Sequence, residues 1–172
     1  MFKEIDINKI DKKWINLINE KWTLITARKD DGKVNTMTAS WGAIGELWMM
    51  PVYLCFVRPE RYTHEFLENS DYYSICFFDS KYKKDLVYLG SKSGRDGDKI
   101  SETKLHVVLN DNFVPYFQEA NFVIICRKIY RDDFKKESFL DKSIINNIYY
   151  EKNAKLHTMY IGKIEKVMEQ DE

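Results

Sequence analysis

Apolar residues recur along the chain in two periods, one near that of a helix and one of two, and their succession lays out the elements. Ile10, Trp14, Leu17 and Ile18 stand at helical spacing among Lys, Asp, Asn and Glu, which predicts a short amphipathic helix over residues 10–20. Two β-prone runs, 22–28 and 34–41, flank Asp30-Asp31-Gly32-Lys33 and predict a tight hairpin. Residues 51–57 are almost continuously apolar, so they predict a third strand covered on both faces and near the centre of a sheet. Residues 63–69 read as a short helix with Thr63 as its N-cap, and Glu65 and Glu68 suit that end electrostatically. A fourth strand follows at 72–78, then a helical stretch over 82–89 that stops at Gly90 and leads into the polar loop 91–98. Residues 122–130 form a long fifth strand, and Phe139, Leu140, Ile144, Ile145 and Ile148 mark a further helix. Residues 156–167 form a sixth strand, with Gly162 as a bulge. Six strands outnumber the crossover helices and open with a hairpin, so a mainly β fold, an antiparallel sheet or small barrel with peripheral helices, is expected over a doubly wound parallel sheet.

Composition narrows the class. A chain of 172 residues fits one domain over 1–172, and 10 Phe, 11 Tyr and 4 Trp supply enough large side chains for a sizeable core. Lys plus Arg and Asp plus Glu each total 27, so no global charge favours nucleic acid or an anionic membrane. No apolar run is long enough to span a bilayer and the N-terminus lacks a signal peptide's apolar core, so a cytoplasmic protein is expected. Cys55, Cys76 and Cys126 are odd in number and embedded in apolar runs, which suits buried reduced thiols. His64, His106 and His157 form no pair at zinc spacing, and no metal site is expected. Neither a nucleophile elbow nor a Cys-His arrangement is present.

Four segments carry candidate chemistry. Asn35-Thr36-Met37-Thr38-Ala39-Ser40-Trp41-Gly42 is a β-prone run of small hydroxyl residues ending in an aromatic; it lets a planar ligand approach the backbone, or it is an edge strand whose hydroxyls face water. In Arg58-Pro59-Glu60-Arg61-Tyr62-Thr63, the proline keeps Arg58 extended while Arg61 precedes a helix start. Two guanidiniums, a Thr hydroxyl and free helix amides then converge on an anion, unless the arginines are solvated and bond nearby carboxylates; the Thr cap favours the anion site. The loop from Ser91 to Lys99 has glycines that let successive amides point one way, with Lys92, Arg95 and Lys99 adding charge, and is otherwise a surface loop. It has the spacing of neither a P-loop nor a calcium loop. His157 opens the last strand, either facing a pocket or hydrogen-bonded within the structure.

In their order, the segments 35–42, 58–63, 93–99 and 157–162 together resemble the flavin reductase-like family of FMN-binding split barrels, especially its flavoredoxin-like branch. The resemblance implies an antiparallel split β-barrel forming a homodimer, with FMN at or near the subunit interface. On this resemblance Thr36, Met37, Thr38, Ala39, Ser40 and Trp41 line the flavin ring and ribityl chain, and Asn35 at the head of the run belongs with them. Arg58, Arg61, Tyr62 and Thr63 lie around the ribityl phosphate, while Ser93, Gly94, Arg95 and Lys99 close the pocket from the loop. His157 falls on the nicotinamide side as the catalytic candidate. The implied activity passes hydride or electrons from NADH or NADPH through FMN to a small-molecule or protein acceptor. An FMN electron carrier reduced by a protein donor, and a ligand-binding split barrel without turnover, stay open as alternatives.

Overall fold

The computed structural model describes residues 1–7, 13–150 and 153–170, so Ile10 of the expected first helix lies outside them. Ten strands are present among these residues: β1 (Phe2–Glu4), β2 (Thr23–Arg28), β3 (Val34–Ala39), β4 (Gly42–Leu47), β5 (Met50–Val57), β6 (Tyr72–Phe77), β7 (Val107–Leu109), β8 (Pro115–Phe117), β9 (Phe122–Asp133) and β10 (Thr158–Gln170). Four short α-helices accompany them: α1 (Trp14–Asn16), α2 (Tyr62–Glu68), α3 (Lys83–Ser91) and α4 (Lys142–Ile144). The main sheet runs β3-β2-β6-β9-β10-β5-β4, with β1 also on β10, and β7 and β8 form a separate ribbon. Every pairing is antiparallel.

Connectivity curls this sheet. Its two edge strands, β3 and β4, are consecutive in the chain and joined only by Ser40 and Trp41. Laid flat, six inter-strand spacings would part the edges by about 29 Å. Three Cα-to-Cα steps reach about 11 Å at most. The sheet therefore rolls until its edges approach, yet β3 and β4 do not pair, which leaves a barrel split along one seam.

Period-two alternation sorts side chains between the barrel interior and an outer layer. Ile25 and Ala27, Tyr73, Ile75 and Phe77, and Phe122, Ile124 and Cys126 pack in one buried cluster. Their neighbours Leu24, Cys76, Val123 and Ile125 turn to a second one under α3 and β8, with Leu86, Leu89 and Phe117. The strands buried on both faces are thus β2, β6 and β9. β5 is one strand in from the edge and alternates between buried and half-buried positions, so the expectation that it lies at the centre does not hold. All three cysteines are free and buried, and burial pushes the Cys55 and Cys76 thiols up to about 12.

Local departures have identifiable causes. The first helix is a single α turn followed by a π-helical turn, Leu17–Lys21, with Trp14 edge-on to Phe77 and in contact with Phe122. α3 does not stop at Gly90 but continues to Ser91; a Cβ at Gly90 would stand 3.1 Å from the Thr38 Cβ, so this glycine admits β3 against the helix. Gly162 does mark a bulge, since the β10–β9 register shifts between Ile161 and Gly162. No helix among the described residues is long and apolar enough to cross a membrane.

Gly162 is also where the barrel wall closes on its filling. A Cβ there would lie 2.4 Å from the Tyr73 hydroxyl oxygen and 2.7 Å from the Cys126 Cβ, both rigidly buried. Gly162→Ala should cost about 2–3 kcal/mol by overpacking, read as a lower midpoint in urea; an unchanged midpoint would show that the wall gives way freely.

Candidate functional site

The split holds a cavity of about 350 Å³, lined by Met37, Thr38, Ala39, Ser40 and Trp41 from β3 and its link, Phe56 and Arg58 from the end of β5, Arg61, Ile148, Tyr149 and His157. A second cavity of about 160 Å³ adjoins it through Arg61 and is lined by Asn35, Tyr62, Thr63, Ser93, Gly94 and Lys99 among others. The fold thus brings together the strand, both arginines, the loop and the last histidine, across more than a hundred residues of sequence. Two expected residues stand apart. Thr36 turns its hydroxyl into the hairpin, donating to the Ile25 carbonyl at 3.0 Å and meeting the Thr26 hydroxyl at 2.8 Å. Arg95 leaves the cavity, bonding the Glu60 carbonyl at 3.0 Å and the Glu65 carboxylate, with its guanidinium 4.8 Å from the centre of the Tyr62 ring.

Charge in the site is unbalanced. Among the described residues neither the Arg58 nor the Arg61 guanidinium has a hydrogen-bond or ion-pair partner. Lys99 is buried, and its Nζ donates to the carbonyls of Leu89 at 2.7 Å and Lys92 at 3.0 Å, at the C-terminal end of α3. Burial, then the neighbouring Arg61 charge, brings the Lys99 ammonium down to about 8. Burial and Arg58 likewise hold Arg61 below the ordinary arginine range. Of the nearby acids, Glu60 lines the smaller cavity, accepts the Lys155 amide at 2.7 Å and feels the Arg58 charge, while Glu65 takes Arg95 and Lys29. Three cations facing one carboxylate leave an excess of positive charge, which an anion between them would offset.

The helix cap expected to contribute to this site does not form. α2 begins at Tyr62, its N-cap is Arg61, and Thr63 is a buried residue of the first turn whose hydroxyl accepts from Asn35 Nδ2 at 2.8 Å. Lys99 takes over as the second cation beside Arg61. Thr38 is likewise committed, its hydroxyl donating to the Leu86 carbonyl, so β3 offers a ligand its backbone edge more than its hydroxyls.

His157 also lines the larger cavity and is 9% exposed. Its Nδ1 lies 2.8 Å from the Tyr149 hydroxyl, and its ring leans on Trp41 with centroids 4.8 Å apart and planes at 39°. Burial, followed by the Arg58 charge and opposed by Glu60, lowers its pKa to about 4, so the imidazole is neutral at pH 7. Trp41 itself is 43% exposed and separates this cavity from an apolar groove of about 570 Å³ along α1 and β4, lined by the buried Ile18, the half-buried Ile44 and Phe134, and Ala43. The sequence marks Ile148 only as part of a helix and marks neither Phe56 nor Tyr149 for the site. Alternation along β5 places Phe56 opposite the buried Cys55 and could have found it; nothing local marks Tyr149. Among the described residues no group of three His, Cys, Asp or Glu side chains is placed to hold a metal ion.

Comparison with known proteins bears on this geometry. Residues 16–172 match the family model of the flavin reductase like domain. Among solved structures, flavoredoxin from Methanosarcina acetivorans superposes with a TM-score of 0.70 at 20% identity, covering 98% of this chain and 76% of that one. An FMN-binding protein from Thermus thermophilus, with bound 1-cyclohex-2-enone, gives 0.66 at 22% identity over 86% and 69%. An NADH:FAD oxidoreductase from Streptomyces globisporus C-1027 gives 0.65 at 13% identity over 87% and 75%. At these identities the likeness establishes the fold. No curated protein sequence matches the chain.

The neutral His157 makes stability depend on pH with a definite sign. Its folded pKa is about 4, and an unfolded histidine titrates near 6.5. Below about pH 6.5 the unfolded chain takes up a proton that the native chain refuses, so stability falls as pH drops toward 4 and the loss is complete below it. Urea unfolding at pH 7 and 4.5 should show the native chain losing about 2–3 kcal/mol more than His157→Gln. Equal losses would contradict the buried neutral imidazole.

Proposed function

Because it matches the flavin reductase like domain over residues 16–172, the chain belongs to the flavin reductase-like family, and from that premise we propose that it is an FMN-binding oxidoreductase that takes electrons from NADH or NADPH. The observation that carries the proposal is the set of three cations, Arg58, Arg61 and Lys99, gathered on two adjoining cavities whose lining holds a single carboxylate, Glu60. A phosphate monoester on a planar ring system fits that donor set, since the smaller cavity suits the phosphate and the larger one a ring. Arg61 and Lys99 would hold the phosphate, and the backbone edge of β3 at Thr38, Ala39 and Ser40 would run along the ring. When bound, FMN supplies hydride and single-electron chemistry that no side chain here can perform.

The chain's own residues set the conditions for that chemistry. Arg58 and the outward amides of β3 favour negative charge in the larger cavity. The tilted rings of Trp41 and His157 offer an aromatic wall against which a nicotinamide would be oriented, and neutral His157 would act as a hydrogen-bond group, not as an acid. The apolar groove along α1 and β4 shares Ser40, Trp41 and Phe56 with the larger cavity, and the β4–β5 turn exposes Trp48 and, at 96%, Met49. A second copy of the chain covering this face would complete the site's outer wall, which supports a homodimer. The structural likeness to a flavoredoxin supports a second reading, an electron carrier reduced by a protein donor.

Anaerobic titration separates the two. In the FMN-loaded protein, NADH or NADPH should bleach the bound-flavin bands at about one equivalent; bands that persist with both would overturn the nicotinamide step and leave the carrier. Arg61→Ala should weaken FMN at least tenfold while changing riboflavin by less than about twofold, as expected for loss of a charge-assisted phosphate contact. Equal weakening of both flavins would remove Arg61 from the phosphate site. FMN affinity should also fall as pH rises past about 8, where Lys99 gives up its proton, and Lys99→Met should abolish that dependence.

A further inference from the structure

The segment between β9 and β10 folds back over the larger cavity. Asp141 caps its short helix by accepting from the Ser143 amide at 2.9 Å, and a π-helical turn, Ile145–Tyr150, follows. Phe139 braces the turn from outside, edge-on to Phe134 at 5.8 Å and to Tyr149 at 6.0 Å between ring centroids. The carbonyl of Tyr149 accepts the Ala154 amide at 2.9 Å. The result is a tyrosine only 2% exposed, delivered to the cavity roof with its hydroxyl 2.8 Å from His157 Nδ1.

We propose that Tyr149 is a positioning residue that fixes His157 as the neutral Nε2–H tautomer, and that the cavity thereby gains a subsite for the carbonyl oxygen of a planar ligand. The proton count is closed. Among the described residues the Tyr149 hydroxyl has His157 Nδ1 as its side-chain hydrogen-bond partner, and a buried hydroxyl places its proton on an available acceptor. Nδ1 therefore accepts, and an imidazole that is neutral and accepts at Nδ1 carries its hydrogen on Nε2. Nε2 has no hydrogen-bond partner among the described residues, while the ring lines the cavity and leans on Trp41. A bare N–H donor beside an aromatic face selects a flat ring that bears a carbonyl group. Two sources share that chemistry, the carboxamide of a nicotinamide and the carbonyl of an oxidised acceptor. The inference depends on the flavin reading only in taking this cavity as the working one.

The tautomer is read directly by long-range ¹H–¹⁵N correlation spectroscopy on the full chain without flavin at pH 7, with His157→Gln identifying the signals. The expected result is a single Nε2–H form in the native chain and a mixture with the Nδ1–H form in Tyr149→Phe. A native Nδ1–H form, or a tautomer unchanged in Tyr149→Phe, would overturn the proposal; should that variant fail to fold, the native spectrum alone decides. Binding is then followed by NMR titration with two carbonyl probes, nicotinamide and acetophenone, against 3-methylpyridine and ethylbenzene, which lack the carbonyl. Tyr149→Phe should weaken a carbonyl probe roughly fivefold and leave its carbonyl-free partner unchanged. A loss confined to nicotinamide assigns the subsite to the electron donor, and one confined to acetophenone assigns it to the acceptor. Equal effects within each pair, or no preference for the carbonyl in the native chain, would overturn it. Because no flavin is present, a failure here is distinct from a failure to bind FMN.

Discussion

Two residues, Ser40 and Trp41, connect strands at opposite edges of a seven-strand path, and that short tether is the constraint from which the rest of the structure follows. It cannot be met by a flat sheet. Rolling the sheet encloses one face as the barrel interior and leaves the other to be covered by α3 and the β7–β8 ribbon. Because the edges approach without pairing, the seam keeps unpaired backbone along β3 and room beside it. The cavity lies along this seam, and the tether itself supplies Ser40 and Trp41 to its wall.

What surrounds the seam is electrostatically unfinished. Arg58 follows β5, Arg61 precedes α2, and Lys99 reaches back to cap the last carbonyls of α3, so three elements direct positive charge at one place. A protein interior tolerates such a cluster when an anion completes it. Lys99 serves two purposes at once: it satisfies carbonyls that the helix end leaves free, and it fixes a cation where a flexible surface lysine could not stay. Glu65 is held by Arg95 and Glu60 by the Lys155 amide at the cavity wall, so three cations face one carboxylate and the site can take a ligand's phosphate.

The strands β2, β3, β6, β9 and β10 were legible because their side chains alternate between two covered layers or flank an Asp-Gly turn. β4 was not. Its turn places Trp48 and Met49 at φ values of 52° and 60°, a conformation that Asn-Gly normally signals, and two glycines dilute its pattern. β7 and β8 are three residues each; β8 is held on β6, where the Ser74 hydroxyl donates to the Pro115 carbonyl, and β7 pairs with β8. Thr63 and Gly90 were read by local rules for helix ends, whereas tertiary contacts decided both: Asn35 claims the Thr63 hydroxyl, and Thr38 needs the space at Gly90. In the candidate site, the strand 37–41, both arginines, Lys99 and His157 were legible from residue type and order. Tyr149 was not, because its place depends on a segment that folds back across the seam.

The most direct test of the electrostatic account is the crystal structure of the FMN-loaded protein. The account predicts the phosphate between the Arg61 guanidinium and the Lys99 ammonium, with the ring system along Thr38 to Trp41. A phosphate bound away from both cations, or a flavin seated in another cavity, would contradict it.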